Sequence, residues 1–168
     1  YKILPPNTVW TNDKPHVVYG YLVVDSAQTF RIEPGTQIHF HANSGLWVYR
    51  GGTLEVDPLS LGSQQNPVVF QGDRLEPFYD DIPGQWGGAL GGIFVQSGAT
   101  AKFQNAVVKN GTVGIRVDST ASSTPNLTLR NTVVEHHSRA GIYSGFGNVR
   151  ATNTVVADAG LYGVYALG

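Results

Sequence analysis

The chain has 168 residues, a formal net charge of -1, 41% hydrophobic and only 14% charged residues. That is enough apolar matter for one sizeable core, and no basic run suits nucleic acid or an anionic membrane surface. The absence of cysteine excludes disulfides, thiolate catalysis and cysteine-based zinc sites.

The 21 glycines and 9 prolines punctuate short runs rich in Val, Ile, Thr, Phe and Tyr. This predicts many short strands joined by tight turns. No stretch carries an apolar helical stripe, and no apolar run is long enough to span a membrane. The chain begins at Tyr1 without methionine, which suggests a processed chain or a fragment, with any leader or lipid anchor upstream.

Residues 1–19 are expected to cover the first coil as an N-terminal cap. Residues 21–25, 29–35 and 36–40 read as three strands of one coil, and 45–51, 52–57 and 66–72 as three of the next. The gap from Gly45 to Gly92 is read as one coil with two insertions, at 58–65 and 73–86. Two ordinary coils would also fill it, but 73–86 has no strand pattern.

From Gly92 onward the pattern is regular. Gly-apolar-x-small units open at Gly92, Gly114, Gly141 and Gly163, spaced 22, 27 and 22 residues, with earlier relatives at Gly20 and Gly45. A second marker, Asn-x-Val-Val, starts at Asn105, Asn131 and Asn153, spaced 26 and 22. A polar insertion at 118–126 accounts for the longer gaps. Two markers with one period of about 22 residues define a repeat. Leucines are too few for leucine-rich repeats. Two or three short β-branched runs per unit fit a coil of a parallel β-helix, which buries its apolar face only by stacking on its neighbours.

Alternation within each strand places Leu46, Val48, Ile93, Val95, Ile115, Val117 and Ile142 inward. The glycine before each strand is expected to serve a positive-φ corner or a close backbone approach. The asparagines are expected to stack as an amide ladder. The last repeat ends at "YGVYALG" with no cap, so further chain or a partner is expected to cover that edge. The fold class is therefore all-β: a right-handed parallel β-helix of about five to six coils in a single domain.

The segments 30–41, 67–88 and the "GIRV" series at 114–117 resemble bacterial secreted proteins with a right-handed parallel β-helix of the pectate-lyase-like type, in an uncharacterised cell-surface branch. The resemblance covers nearly the whole chain. It implies an extracellular or cell-surface location in a Gram-negative bacterium, and it carries no established activity. Lyases of this fold use an acidic calcium-binding cluster and an Arg or Lys base. The corresponding candidates are Asp73, Glu76, Asp80 and Asp81, with Arg74 as base; the bland alternative is a solvated acidic loop pinned by Phe78, Tyr79 and Trp86. Hydrolases of this fold use aspartates on adjacent coils, a glycine-flanked histidine and an Arg-x-Lys. Here Asp118 and Asp158 lie in separate repeats and the other features are missing, so no catalytic residue is assigned.

His39 and His41 share a strand face, which reads as solvent-facing because Ile38 and Phe40 point inward; a metal pair is the rival reading. His136 and His137 read as turn residues pointing opposite ways. The outward positions carry Arg116 and the aromatics Trp47, Tyr49, Phe94, Tyr143 and Tyr165, which stacked coils line up on one outer face. These aromatics are either covered by the 73–86 insertion or form a strip for sugar rings, with Tyr79 and Trp86 from the insertion as added candidates. "NGT" (110–112) and "NLT" (126–128) match N-glycosylation sequons, and "DSA" (25–27) and "DST" (118–120) a short O-glycosylation signal. Function is thus expected to be non-enzymatic binding of carbohydrate or a surface protein, with a polysaccharide lyase or hydrolase site near 73–86, or a structural subunit of a surface complex, as alternatives.

Overall fold

The computed structural model describes residues 1–58, 66–79 and 82–168. The first coil holds β1 (Lys2–Ile3), β2 (Val9–Trp10) and β3 (His16–Val18); the second holds β4 (Tyr21–Val24), β5 (Thr29–Ile32) and β6 (Gln37–Phe40). The third is β7 (Gly45–Val48), β8 (Thr53–Val56) and β9 (Val68–Gly72). A short antiparallel pair follows, β10 (Pro77–Tyr79) with β11 (Ile82–Pro83). The fourth coil is β12 (Ile93–Val95), β13 (Thr100–Gln104) and β14 (Ala106–Lys109); the fifth is β15 (Val113–Val117), β16 (Leu127–Arg130) and β17 (Val133–Glu135). The sixth is β18 (Ala140–Gly145), β19 (Val149–Thr152) and β20 (Val155–Ala157), and β21 (Tyr162–Leu167) follows it.

These strands sort by position in the coil. The first sheet runs β1-β4-β7-β12-β15-β18-β21, the second β2-β5-β8-β13-β16-β19 and the third β3-β6-β9-β14-β17-β20. Every pairing within the three is parallel. The molecule is the parallel β-helix expected, with six turns and no helix among the described residues; crossovers between parallel strands take the right hand. β7 pairs directly with β12, so the span from Gly45 to Gly92 is one coil with two insertions. Residues 2–18 form a short first turn whose strands pair with the second coil.

The period follows from what each coil gives the core. Leu22, Leu46, Ile93, Ile115, Ile142 and Val164 are vertical neighbours in the first sheet. Ile38, Phe70, Val108, Val134 and Val156 form the matching column in the third. Ile93, Ile115, Phe70, Val108 and Val134 are fully buried. Each such side chain contributes about 1.5–3 kcal/mol of transfer free energy, which no single coil could collect alone.

The Asn-x-Val-Val marker decodes into three jobs. Asn105, Asn131 and Asn153 turn the corner from the second to the third sheet at φ 49, 48 and 47°, a left-handed conformation asparagine tolerates. The amide of Asn153 donates to Asn131 Oδ1 at 2.6 Å, and that of Asn105 to Asp57 Oδ2 at 3.4 Å, so each of these two amides bonds to the preceding coil, the first to an asparagine and the second to an aspartate. The first valine of each pair faces outward and the second fills the core.

The glycine marker answers to close approach, since Gly114 lies outside the positive-φ region. A Cβ there would stand 2.6 Å from His137 Nε2 and 2.7 Å from the Gly141 carbonyl oxygen. Gly20 departs from the series. Register pairs Tyr21 with Gly45, so Tyr21 takes the glycine place in the second coil and Gly20 precedes it at φ 79°. The Tyr21 hydroxyl donates to the Gly91 carbonyl at 2.7 Å and accepts from the Gly88 N–H at 2.9 Å, tying down the end of the long insertion.

Candidate binding face

The outer side of the first sheet carries a continuous column. Register stacks Val23, Trp47, Phe94, Arg116, Tyr143 and Tyr165, one from each coil in turn. The parallel spacing of about 4.8 Å per strand leaves flat side chains little choice but to stack. Trp47 and Phe94 lie 6.0 Å apart at 24°, and Tyr143 and Tyr165 5.2 Å apart at 15°. Arg116 joins the two pairs, its Cζ 4.6 Å from the Phe94 ring and 5.9 Å from Tyr143. A guanidinium over an aromatic face contributes about 0.5–1 kcal/mol when exposed.

Polar groups hold the column's edge. The Trp47 indole N–H donates to Gln96 Oε1 at 2.9 Å, and Arg116 Nε to Asp118 Oδ1 at 3.2 Å. Tyr49, 39% exposed, meets Trp47 edge-on at 5.8 Å. Beyond Arg116 a groove of about 330 Å³ opens between Arg139, Tyr143, Tyr162 and Tyr165. The face thus offers apolar ring surfaces in series, each with a hydroxyl, amide, carboxylate or guanidinium beside it.

Five sequence candidates therefore share this face: Trp47, Tyr49, Phe94, Tyr143 and Tyr165. Phe94 is 6% exposed, covered by its own column neighbours Trp47 and Arg116. Trp86 does not share it. It is fully buried, stacked at 4.2 Å on Phe40, with its indole N–H donating to the Lys109 carbonyl at 2.7 Å. The ring belongs to the apolar core, where interiors are packed without voids and so large a side chain takes the space several smaller ones would fill. The side chain of Tyr79, and Asp80 and Asp81 altogether, lie outside the described residues.

The acidic candidates that are described do not converge. Asp73 is held by His41 Nδ1 at 2.7 Å and lies 3.5 Å from Arg74 Nε, while Glu76 is exposed. Among the described residues no group of three or more His, Asp and Glu is arranged to hold a metal ion. His39 and His41 both face outward, but His39 pairs with the Gly72 carbonyl at 3.3 Å, so the two rings serve different partners.

His136 and His137 do point opposite ways, but His137 is a core residue rather than a turn residue. It is fully buried, accepts the Gly111 N–H at Nδ1 (3.1 Å) and donates from Nε2 to the Val108 carbonyl (3.0 Å). Burial lowers its pKa to about 4, with the nearby His136 adding to the effect and the two backbone contacts opposing it. On the other side of the same corner, a cleft of about 640 Å³ gathers Pro83, Lys109, Asn110, Glu135, His136 and Asp158.

Sequence reasoning placed Arg116 in this column, as register shows, but missed Arg139 and Tyr162 beside it. The signal was present: Tyr162 precedes Gly163 as Ala140 precedes Gly141, and register pairs the two. No family model, curated protein or solved structure matches this chain.

Proposed function

We propose that this β-helix is an extracellular or cell-surface module that binds carbohydrate along the outer face of its first sheet, without catalysis. The observation that carries the reading is the five-rung column Trp47, Phe94, Arg116, Tyr143 and Tyr165, rigid because each rung stands on a different coil. Pyranose rings pack their C–H faces on aromatic planes and pair their hydroxyls with polar tips, and a preformed column loses little freedom on binding. Glycan-array binding followed by calorimetry tests it. Tyr143→Ala with Tyr165→Ala should weaken binding at least tenfold while leaving the melting temperature of the folded chain within a few degrees. Undiminished affinity in that double variant contradicts the reading.

A polysaccharide-active enzyme is the second reading. It is favoured by the cleft that brings Lys109, Glu135, His136 and Asp158 from three coils under Pro83. Glycan cleavage abolished by Glu135→Gln or Asp158→Asn would move the function there.

A further inference from the structure

We propose that the outer face of the second sheet carries a separate site for a tetrahedral oxyanion ester, a sulfate or phosphate group borne on a glycan, centred on Thr128. Lys102 stands beside Thr128 on one coil and Arg150 beside it on the next. Arg130 lies two residues along the same strand, on the same face as Thr128. By sheet geometry Lys102 and Arg150 are about 10 Å apart at Cα, and each about 8 Å from Arg130. Three long cationic side chains thus surround one hydroxyl.

All three cations are exposed, and among the described residues none of them makes an ion pair. Strands β13, β16 and β19 contain no acid. A cleft of about 340 Å³ lies against this patch, lined by Lys102, Gln104, Thr128 and Arg130, together with Glu55, the register neighbour of Lys102 on the third coil. Glu55 is taken by Arg31 at 2.9 Å and limits the anion site to the fourth, fifth and sixth coils. The face has no aromatic on these three strands' outer positions to stack a base or a neutral sugar. A tetrahedral ester offers three terminal oxygens, one acceptor for each cation, with one negative charge on a sulfate ester and close to two on a phosphate monoester, whereas a carboxylate offers only two oxygens.

The patch is invisible along the chain, where its members are 28 and 20 residues apart. It exists only because the 26- and 22-residue spacings bring Lys102, Thr128 and Arg150 into vertical register.

The test measures binding of the whole chain to immobilised dextran sulfate, phosphorylated dextran, neutral dextran, polygalacturonate and a single-stranded oligonucleotide. Retention by either ester-bearing dextran and none by neutral dextran is expected. The log of the affinity should fall against log salt with a slope of about -2, as three neutralised charges give. Changing Lys102, Arg130 and Arg150 together to Gln should reduce affinity at least tenfold and flatten that slope, while Lys14→Gln, at an exposed lysine of the first coil, leaves both unchanged. Arg130→Glu alone should lose at least as much as Arg130→Gln, and circular dichroism checks that each variant is folded. Failure of both ester-bearing dextrans, equal or tighter retention of polygalacturonate or the oligonucleotide, or an unaltered triple variant would each overturn the proposal.

Discussion

Acidification should unfold this protein partly through one imidazole. His137 is neutral in the fold, with Nε2–H on the Val108 carbonyl and Nδ1 receiving the Gly111 N–H. Burial is the main reason its pKa falls from 6.5 to about 4. The unfolded chain takes up a proton below about 6.5, while the folded chain resists until about 4. The stabilisation is therefore complete above the unfolded value and drains away as pH falls between the two, then levels off. At about 1.4 kcal/mol per pH unit the loss reaches about 3 kcal/mol, a large share of a typical 5–15 kcal/mol stability. Urea unfolding between pH 4 and 7.5 measures it. Because carboxylates titrate in the same range, the informative quantity is wild type against His137→Gln, which keeps an amide donor for Val108. The variant should start less stable and should lack about 3 kcal/mol of the acid-side loss. Parallel stability curves for the two proteins would refute the buried neutral imidazole.

Two further substitutions probe the core and the corners. Gly114→Ala should cost about 1–3 kcal/mol, because the new methyl would meet the His137 ring and the unyielding Gly141 carbonyl. Gly20→Ala, with no atom within 4 Å of the added carbon, should cost about 1 kcal/mol through its φ of 79° alone. Chemical denaturation ranks the pair. Trp86→Ala should cost about 3–5 kcal/mol as a fully buried ring in the core, whereas Tyr49→Ala should change stability by no more than about 0.5 kcal/mol.

The architecture could be read from the chain because its two markers answer to constraints local to one strand or corner. A glycine where no Cβ fits, and an asparagine at a left-handed corner, recur once per turn whatever the rest of the coil contains. The single-coil reading of 45–92 succeeded for the same reason, since a segment without alternation cannot supply ladder strands. Trp86 defeated the reading because insertion residues obey no period, and nothing local says that an indole in a loop plugs the core against Phe40. His137 defeated it likewise: beside His136 it looked like a polar turn, while the space that buries it comes from Gly111 and Gly114, 26 and 23 residues earlier. The "GYLV" match at Gly20 misled by one place because Tyr21 fills the space that a glycine leaves elsewhere. Arg116 interrupts a column of rings as a charged residue, yet a flat guanidinium stacks as they do, and only its distances to Phe94 and Tyr143 disclose that.

Vertical register underlies both proposed faces, and the absence of cysteine makes it directly measurable. Lys102→Cys with Thr128→Cys puts two thiols on neighbouring outward positions of adjacent coils, at about 5 Å between Cα atoms and within disulfide reach. Lys102→Cys with Arg130→Cys mimics a slip of two residues and separates them to about 8 Å, beyond it. Air oxidation of the folded proteins should join the first pair and leave the second reduced. A bridge in the second pair, or none in the first, would contradict the stacking on which the account rests.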